Sequence, residues 1–300
     1  MQMHVFVTGA SGHIGSLVVR DLLDNGHQVS GLARSDEGAD AVERAGAQVV
    51  RGTLDDLDVL TKSAGESDGV IHLAFKHDFG DYVGAAEADL RAVRAIGTGL
   101  TGSGKPFVNT SGTAVLATGS SSALATEETM PPSEGPRVPS ENAALALADQ
   151  GVRASIIRLA PTVHGSTDRR GFIPTIIENA RKTGQSVYVG DGANRWPAVH
   201  NVDAARLYRL ALEAAPAGSR FHGAAEEGIP FRDIAEAIGK QLNVPAVSVS
   251  LDEATEQLGF IGWVASLDNP TSSAITRKVL GWTPEQATLL EDLNAGHYFA

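Results

Sequence analysis

The sequence has no cysteine, few aromatic side chains and no long hydrophobic run. Without cysteine, neither a disulfide framework nor a thiolate zinc site can form. No uninterrupted apolar segment approaches the roughly 18 to 20 residues that a membrane-spanning helix requires. The N-terminus enters an apolar stretch with no basic region before it, which differs from a secretory signal peptide. We therefore expect a cytoplasmic protein that does not insert into a membrane.

Positive charge is also scarce, with 24 Lys and Arg against 36 Asp and Glu and a formal net charge of −12. Sequence-independent binding to nucleic acid requires clustered Lys and Arg, so nucleic acid is not an expected partner. The nine histidines include no close pair with a carboxylate at helical spacing, and no metal site is predicted. A composition of 42% hydrophobic and 20% charged residues is typical of a globular protein.

Short β-branched runs alternate with helical patterns through the first half of the chain. The predicted strands cover residues 4–8, 28–33, 47–51, 69–74, 106–111 and 153–159. The helical patterns between them cover residues 14–25, 37–45, 56–64, 82–100 and 141–150. Strands that alternate with helices of this length need crossover connections, and these build a parallel sheet with both faces covered. The sequence therefore predicts a doubly wound α/β fold of the Rossmann type, whose ligands lie at the carboxyl ends of the strands.

The pattern changes after Gly165. Residues 1–165 are expected to form the nucleotide-binding domain, and residues 198–215 return to it. Residues 166–197 and 216–300 are expected to form mainly a smaller, discontinuous substrate-binding lobe. At roughly 150 residues per domain, the length fits one main domain with a smaller partner.

The clearest motif is VFVTGASGHIG, which places Gly9, Gly12 and Gly15 between the first strand and its helix. The first glycine permits a tight turn, the second lets a pyrophosphate approach the main chain, and the third allows close helix–sheet packing. Amides at the start of the helix then face the phosphates. The strand before the motif and the helix after it favour dinucleotide binding over a purely structural turn. The residues expected to line this turn are Ser11, His13 and Ile14, with His13 contacting phosphate through its backbone N–H.

The end of the second predicted strand distinguishes NAD from NADP. A carboxylate at this point binds the ribose 2′-OH of NAD, whereas an arginine accommodates the 2′-phosphate of NADP. The sequence reads GLARSD, with Arg34 and Ser35 at the deciding position and Asp36 following. Because a guanidinium matches phosphate bidentately, we predict NADP(H) as the cofactor, against the alternative of a solvated arginine.

Five motifs together resemble the extended branch of the short-chain dehydrogenase/reductase superfamily, the epimerase-, dehydratase- and dihydroflavonol-reductase-like proteins. They are TGASGHIG (8–15), VIHLA (70–74), FVNTSGTAV (107–115), RLAPTVHG (158–165) and PAVHNVDAARL (197–207). The resemblance covers nearly the whole chain. It implies that the ends of several strands line the cofactor, through the residues Leu54, Leu73, Ala74, Phe75, Thr110, Pro161 and Val163.

The chain departs from this family at the active site. The family uses a serine on the fifth strand and a Tyr-x-x-x-Lys pair at the start of a helix. When the family pattern is laid on the sequence, Val138 falls at the tyrosine position, Asn142 at the lysine position and Gly112 at the serine position. Valine neither donates nor accepts a proton, so the usual acid/base pair is absent from its place.

A general acid has to lie within hydrogen-bond reach of the reacting oxygen. We predict Tyr82 as that acid because it is a phenol in a segment that, in this family, passes beside the nicotinamide. Ser111 or Thr113 would orient the carbonyl. The alternative is that Tyr82 only packs on the following helix, and proton relay through water is a third arrangement.

Substrate contacts are expected from the second lobe and from the end of the sixth strand. Arg195 and Trp196 lie in a polar and aromatic stretch that we predict to be a surface loop. In the extended branch this region closes over the substrate, although Trp196 could instead join the two lobes. His164 follows the sixth strand and completes the predicted substrate contacts.

Three functions remain open from the sequence. The first is an NADP(H)-dependent oxidoreductase that reduces a carbonyl or imine of a small organic substrate. The second is a non-catalytic NADP(H)-binding redox regulator, which the missing pair favours. The third is an NAD-dependent sugar epimerase or dehydratase, which Arg34 and the missing tyrosine disfavour. The resemblance also implies a homodimer formed through the helices at 82–100 and 141–150.

Overall fold

The computed structural model describes residues 2–77, 80–117, 123–132 and 135–300. The strands are β1 (His4–Thr8), β2 (Gln28–Ala33), β3 (Gln48–Arg51), β4 (Gly69–His72), β5 (Pro106–Gly112), β6 (Arg153–Leu159), β7 (Thr162–His164), β8 (Ser186–Val189), β9 (Arg195–His200), β10 (Ser219–Gly223), β11 (Glu226–Pro230) and β12 (Ala246–Val249). The helices are α1 (His13–Asp24), α2 (Asp36–Arg44), α3 (Leu57–Glu66), α4 (Tyr82–Leu100), α5 (Val138–Ala146), α6 (Phe172–Thr183), α7 (Asn201–Ala214), α8 (Phe231–Leu242), α9 (Leu251–Leu258), α10 (Phe260–Ala265), α11 (Ala274–Leu280) and α12 (Leu289–Asn294). Short 3₁₀ helices cover Thr113–Leu116 and Leu147–Gln150.

Seven strands form one parallel sheet in the order β10-β6-β5-β4-β1-β2-β3. Side chains alternate between the two faces of a strand, so Val5 and Val7 of β1 pack on one side and Phe6 on the other. Helices α1 and α7 cover the first face, and α3, α4 and α5 cover the second. This arrangement confirms the predicted doubly wound Rossmann-type fold.

The order of the sheet reverses between β1 and β4, since the chain continues outward to β3 on one side and to β10 on the other. A crevice forms outside the carboxyl ends of the strands at such a reversal, and ligands of doubly wound folds bind there. The predicted cofactor and catalytic residues on β1, β2, β4 and β5 therefore share one edge of the sheet.

A smaller lobe packs over this edge. It contains a three-stranded sheet in the order β11-β9-β7, a two-stranded sheet of β12 and β8, and the helices α6, α8, α9, α10 and α12. Its hydrophobic core is centred on Trp196 and Phe231, whose ring centroids lie 4.8 Å apart. Most of these elements lie within residues 166–197 and 216–300, where the sequence predicts a smaller lobe.

The boundary of that lobe differs from the prediction at residues 216–223. These residues were assigned to the lobe, but β10 pairs in parallel with β6, with Phe221 beside Ile157, and forms the edge of the main sheet. Trp282 also packs in the main core, where its Nε1 donates to the Asp203 carbonyl at 2.9 Å. A strand pattern shows that a segment is extended but does not identify its pairing partner, so the sequence could not assign β10 to a sheet.

Within the described residues, no helix combines the length and the apolar character that crossing a bilayer would take.

Candidate active site at the carboxyl edge of the sheet

The glycine turn closes tightly against the end of β4. Gly9 has φ +71°, and a Cβ on it would lie 2.9 Å from the Ala74 nitrogen. Gly12 is the N-cap of α1 and uses no side-chain cap, while its N–H donates to the Gly9 carbonyl at 2.9 Å. The N–H groups of the first turn of a helix have no partner within the helix, and here they point toward the crevice. Half-buried Ile14 and exposed Ser11 flank this cradle.

Gly15 is the most constrained glycine of the turn. A Cβ at this position would lie 2.0 Å from the Gly9 carbonyl oxygen, far below contact distance. We therefore expect Gly15→Ala to open the turn and to weaken dinucleotide binding at least tenfold, or about 1.4 kcal/mol. Cofactor titration by calorimetry measures the effect. Gly65→Ala is the matched control, because its Cβ meets its nearest atom at 3.4 Å on an exposed helix position. Unchanged affinity in Gly15→Ala would contradict the assignment of the cradle.

The His13 side chain contacts other parts of the protein, and the expected contact of its backbone N–H with phosphate stays a prediction. Its Nε2 lies 3.1 Å from the Val163 carbonyl and 3.9 Å from Asp168 Oδ1. Asp168 Oδ2 also accepts a 3.3 Å hydrogen bond from Tyr298 Oη. The Tyr298 hydroxyl oxygen in turn accepts a hydrogen bond from the Gly165 amide at 2.9 Å. The glycine turn is therefore joined through His13 to the segment after β6 and to the C-terminal residues.

The end of the crevice beside β2 and β3 carries two arginines, Arg34 and Arg51. Arg34 is exposed at the end of β2, and the Ser35 side chain caps α2 by accepting from the Gly38 amide at 3.2 Å. Arg51, which the sequence analysis did not select, donates from Nη1 to the Ser35 carbonyl at 2.7 Å and forms an ion pair with Asp36. The Asp36 carboxylate that could favour a ribose hydroxyl is thus engaged by Arg51. Leu54 is buried in the following segment.

At the other end of the crevice, the ends of β1, β4 and β5 are tied together. Thr8 Oγ1 accepts from the amides of Leu73 and Ala74, both at 3.2 Å. Thr110 Oγ1 donates to the His72 carbonyl at 2.6 Å and lies 2.8 Å from the Tyr208 hydroxyl. The Thr110 hydroxyl therefore holds the strands in place, and its carbonyl faces the start of α5.

The start of α5 presents Arg137 and Glu141 to the strand ends. Arg137, the N-cap residue, donates from Nη2 to the Thr110 carbonyl at 2.7 Å. Glu141 lies one helical turn later and binds the Arg158 guanidinium of β6, with 3.1 Å between Nε and Oε2. Asn142 is exposed and faces away, while Val138 is buried. The two positions that face the site at the tyrosine–lysine spacing are therefore 137 and 141, one residue earlier than the sequence placed them.

Both carboxylates near α5 are held ionised. Burial raises the pKa of Glu141, but Arg158, the nearby Ser111 hydroxyl and the charge of Arg220 lower it more, so it lies below its ordinary value. Burial likewise opposes ionisation of Asp89, while Arg137, His72 and Ser140 bring its pKa below its ordinary value. Neither group is therefore protonated near neutral pH, and neither is a proton donor.

Ser111 and Thr113 occupy different environments. Ser111 is 6% exposed, and its Oγ has no hydrogen bond of normal geometry among the described residues, although it lies close enough to Glu141 to influence its pKa. Thr113 is completely buried, and its Oγ1 lies 2.8 Å from the Asn269 amide. The Thr113 hydroxyl thus joins β5 to the small lobe and has no exposed surface, and its catalytic role stays a prediction.

Tyr82 lies at the first turn of α4 and is half-buried among aromatic rings. Its ring centroid is 5.9 Å from that of Phe75 and 5.1 Å from that of Phe260, on which it stacks. Burial raises the pKa of Tyr82, and the nearby Arg137 opposes this shift. The phenol is therefore protonated at neutral pH. Phe260 and its neighbour Trp263, both from α10, are site residues that the sequence analysis missed because nothing in the FIGW segment indicates which domain it faces.

The three predicted substrate contacts lie in the small lobe or at its base. Trp196 is on strand β9 and completely buried, with Nε1 donating to the Val264 carbonyl at 3.2 Å, so its prediction as an exposed loop residue is wrong. Arg195 pairs with Asp268 at 2.8 Å. His164 is 1% exposed, and its Nδ1 lies 2.8 Å from Asp292 Oδ2. Hydrophobic burial of Trp196 in a lobe core outweighs the polar neighbours that suggested a loop.

Half-buried Pro161 and Val163 cover the glycine turn from the side of β6, as the contact of the Val163 carbonyl with His13 shows. Among the described residues, no group of three or more His, Asp or Glu side chains is arranged to hold a metal ion.

Comparison with known proteins identifies relatives over the whole chain. The model of the NAD dependent epimerase/dehydratase family matches residues 5–222. An uncharacterized protein of Schizosaccharomyces pombe is 51% identical over 298 residues, covering 99% of this chain and all of that protein. The sterol-4-alpha-carboxylate 3-dehydrogenase (decarboxylating) of Dictyostelium discoideum is 28% identical, covering 76% of this chain and 73% of that protein. The 2-alkyl-3-oxoalkanoate reductase of Stenotrophomonas maltophilia is 26% identical, covering 84% of this chain and 80% of that protein.

Among solved structures, the dTDP-glucose 4,6-dehydratase of Streptomyces venezuelae with NAD bound superposes with a TM-score of 0.78. The two chains are 20% identical, and the alignment covers 99% of this chain and 98% of the other. At this identity the similarity shows the shared fold alone.

Proposed function

Because the chain belongs to the NAD-dependent epimerase/dehydratase family, within the extended short-chain dehydrogenase/reductase superfamily, we propose that it is an NADP(H)-dependent oxidoreductase. It would reduce a carbonyl or imine of a small organic substrate. Relatives named as a reductase and a dehydrogenase support this class of reaction. The residues fit a dinucleotide, since a Cβ at Gly15 would collide with the Gly9 carbonyl and prevent the tight turn that exposes the first amides of α1.

One observation carries the choice of an enzyme over a binding protein. A protein that only holds the dinucleotide needs the glycine turn and the adenosine end. This chain also gathers a buried hydroxyl, a phenol and a guanidinium at the opposite end of the crevice, from β5, α4 and the start of α5. These groups are Ser111, Tyr82 and Arg137, and we expect a reacting carbonyl to lie among them when the glycine turn holds a dinucleotide.

In the proposed reduction, the cofactor and each site residue have separate roles. A bound nicotinamide supplies the hydride, which is chemistry intrinsic to the cofactor. Tyr82 remains protonated at neutral pH because burial raises its pKa, and its hydroxyl would donate the proton to the developing alkoxide. Ser111 Oγ would orient the carbonyl oxygen. The phenyl ring of Phe75 packs between Tyr82 and Arg137 and fixes both.

Preference for NADPH over NADH would come from Arg34. Asp36 is engaged by Arg51, and Arg34 stands exposed at the position where a 2′-phosphate is bound in this fold. We expect Arg34→Ala to lose about 10- to 100-fold in NADPH affinity, the value of a hydrogen bond to a charged group, while NADH affinity is unchanged. Fluorescence titration of both cofactors measures this. Arg44→Ala on the exposed end of α2 is the control, and equal affinities of the intact protein for both cofactors would refute the assignment.

Turnover decides between the reductase and the regulator. A panel of aldehydes, ketones and imines should show NADPH oxidation at 340 nm with at least one member. The regulator is favoured by one specific observation: the pair that faces the site is Arg137 and Glu141 instead of tyrosine and lysine. Tight NADPH binding without turnover of any panel member would support the regulator.

We also propose that the protein is cytoplasmic and forms a homodimer. Helix α4 and the second half of helix α5 carry Arg94, Thr98, Ala143 and Ala146 around a shared surface groove. Light scattering tests the oligomeric state, and a monomer at micromolar concentration would contradict the homodimer.

A further inference from the structure

An aromatic wall leads from solvent to Arg137. The wall consists of Phe75, Tyr82, Phe260 and Trp263, whose successive ring centroids lie 5.9, 5.1 and 5.6 Å apart. Trp263 is 40% exposed and marks the outer end. At the inner end, the guanidinium carbon of Arg137 lies 4.1 Å from the Phe75 ring centroid. An apolar surface that ends at a cation is complementary to a ligand with an apolar body and an anionic end.

The protein compensates the charge of Arg137 only in part. Its Nη2 lies 3.8 Å from the nearer oxygen of Asp89, beyond normal hydrogen-bond length, and donates to the neutral Thr110 carbonyl instead. Asp89 already accepts hydrogen bonds from His72 and Ser140. Arg137 is also the N-cap of α5, where the helix dipole adds positive potential. An anionic oxygen is therefore stabilised here more than a neutral one.

A second polar group, which lies on β5 between Thr110 and Glu141, points to a ligand oxygen. Ser111 follows Thr110 on β5 and is 94% buried, since only 6% of it is exposed. Its Oγ lacks a hydrogen bond of normal geometry among the described residues. A buried hydroxyl without a well-formed hydrogen bond costs free energy, and a bound oxygen would reduce that cost.

We propose that the substrate is an apolar carboxylic acid, with its carboxylate bound by Arg137 and Ser111 and its hydrocarbon body lying along the aromatic wall. This inference rests on the proposed function and names the substrate class of the same site. A guanidinium presents parallel N–H groups that match a carboxylate, and the planar rings accept alkyl or aryl groups without demanding a particular shape. Arg137 would thereby position the acid and select it over neutral analogues.

Binding of unreactive probes tests the inference apart from turnover. Hexanoate and hexanamide have the same length and differ in charge, and neither exchanges hydride with the cofactor. In the NADP⁺-saturated protein, calorimetry should show hexanoate binding about 10- to 100-fold more tightly than hexanamide. Octanoate should bind about 15-fold more tightly than hexanoate, because each of its two additional buried methylenes contributes about fourfold. Trp263→Ala should reduce that gain.

Variants at Arg137 separate recognition from folding. Arg137→Gln should lower the affinity for hexanoate by about 10- to 100-fold and leave the affinity for hexanamide unchanged. Arg137→Lys keeps the charge and should retain part of the preference, which keeps the test valid if the glutamine variant folds poorly. Arg232→Gln is the matched control, because Arg232 also stacks on a ring, that of Tyr188, but lies in the small lobe.

The outcomes are distinct. Equal binding of acid and amide, no binding of either, or equal loss of both in Arg137→Gln would overturn the inference while leaving the NADPH-dependent reaction standing. An acid preference that depends on Arg137 would support it, even in a protein that fails to oxidise NADPH with any carbonyl and so loses the proposed function.

Discussion

Replacing Tyr82 with phenylalanine should lower kcat for NADPH-dependent reduction by about 10²- to 10⁴-fold, the usual contribution of a general acid. The ring would still stack on Phe260 and contact Phe75, so only the hydroxyl is lost. Cofactor affinity and thermal stability should change little. Steady-state kinetics with the best substrate of the carbonyl panel, together with NADPH titration, measures the separation.

The pH profile of the same reaction gives an independent check. Because burial raises the pKa of Tyr82 above its ordinary value of 10.0, the phenol stays protonated through neutral pH, and kcat should fall only at strongly alkaline pH. That alkaline fall should be absent in Tyr82→Phe. Tyr188→Phe in the small lobe is the control, and full turnover in Tyr82→Phe would remove Tyr82 from the mechanism.

Replacing Glu141 with alanine should destabilise the fold by about 3 to 5 kcal/mol, since removing one partner of a buried ion pair leaves the other charge uncompensated. Arg158 is completely buried, and Arg220 also approaches the same carboxylate at 3.4 Å. Urea unfolding monitored by circular dichroism measures the loss. Glu178→Ala, which breaks an exposed pair with Lys182 on α6, should cost less than about 1 kcal/mol.

The pH dependence of this stability has a definite sign. The folded-state pKa of Glu141 is lowered, so its contribution is complete above the pKa of an unfolded glutamate and is lost as the pH falls through and below that range. Acid unfolding of Glu141→Ala should therefore be shallower than that of the intact protein. A difference in stability below about 1 kcal/mol at pH 7 would show that water reaches Arg158 and compensates its charge.

The glycine turn and the order of strands and helices could be predicted because they follow from local rules. Gly9 and Gly15 are required by a backbone conformation and by a close approach, and both requirements are visible as residue types at fixed spacing. The parallel sheet follows from strands joined by helices. The register of α5 depends instead on which face of the helix meets the sheet, and here the buried pairing of Glu141 with Arg158 sets it.

The small lobe was harder to predict for a related reason. Trp196 lies between polar residues that favour a loop, yet a core formed by distant segments buries it completely. Arg51 and Phe260 reach the crevice from segments with no motif of their own. Contacts between residues far apart in sequence determined all three placements, and no local pattern records such contacts.

The chain of contacts from His13 through Asp168 to Tyr298 links the glycine turn to the last residues of this sequence. Coupling between two sites is reciprocal. If coenzyme binding stabilises the packing of the C-terminal residues, that packing must strengthen coenzyme binding by the same free energy. Removal of residues 298–300 with a carboxypeptidase should then lower the affinity for NADPH. Bound NADPH should in turn slow the cleavage of those residues.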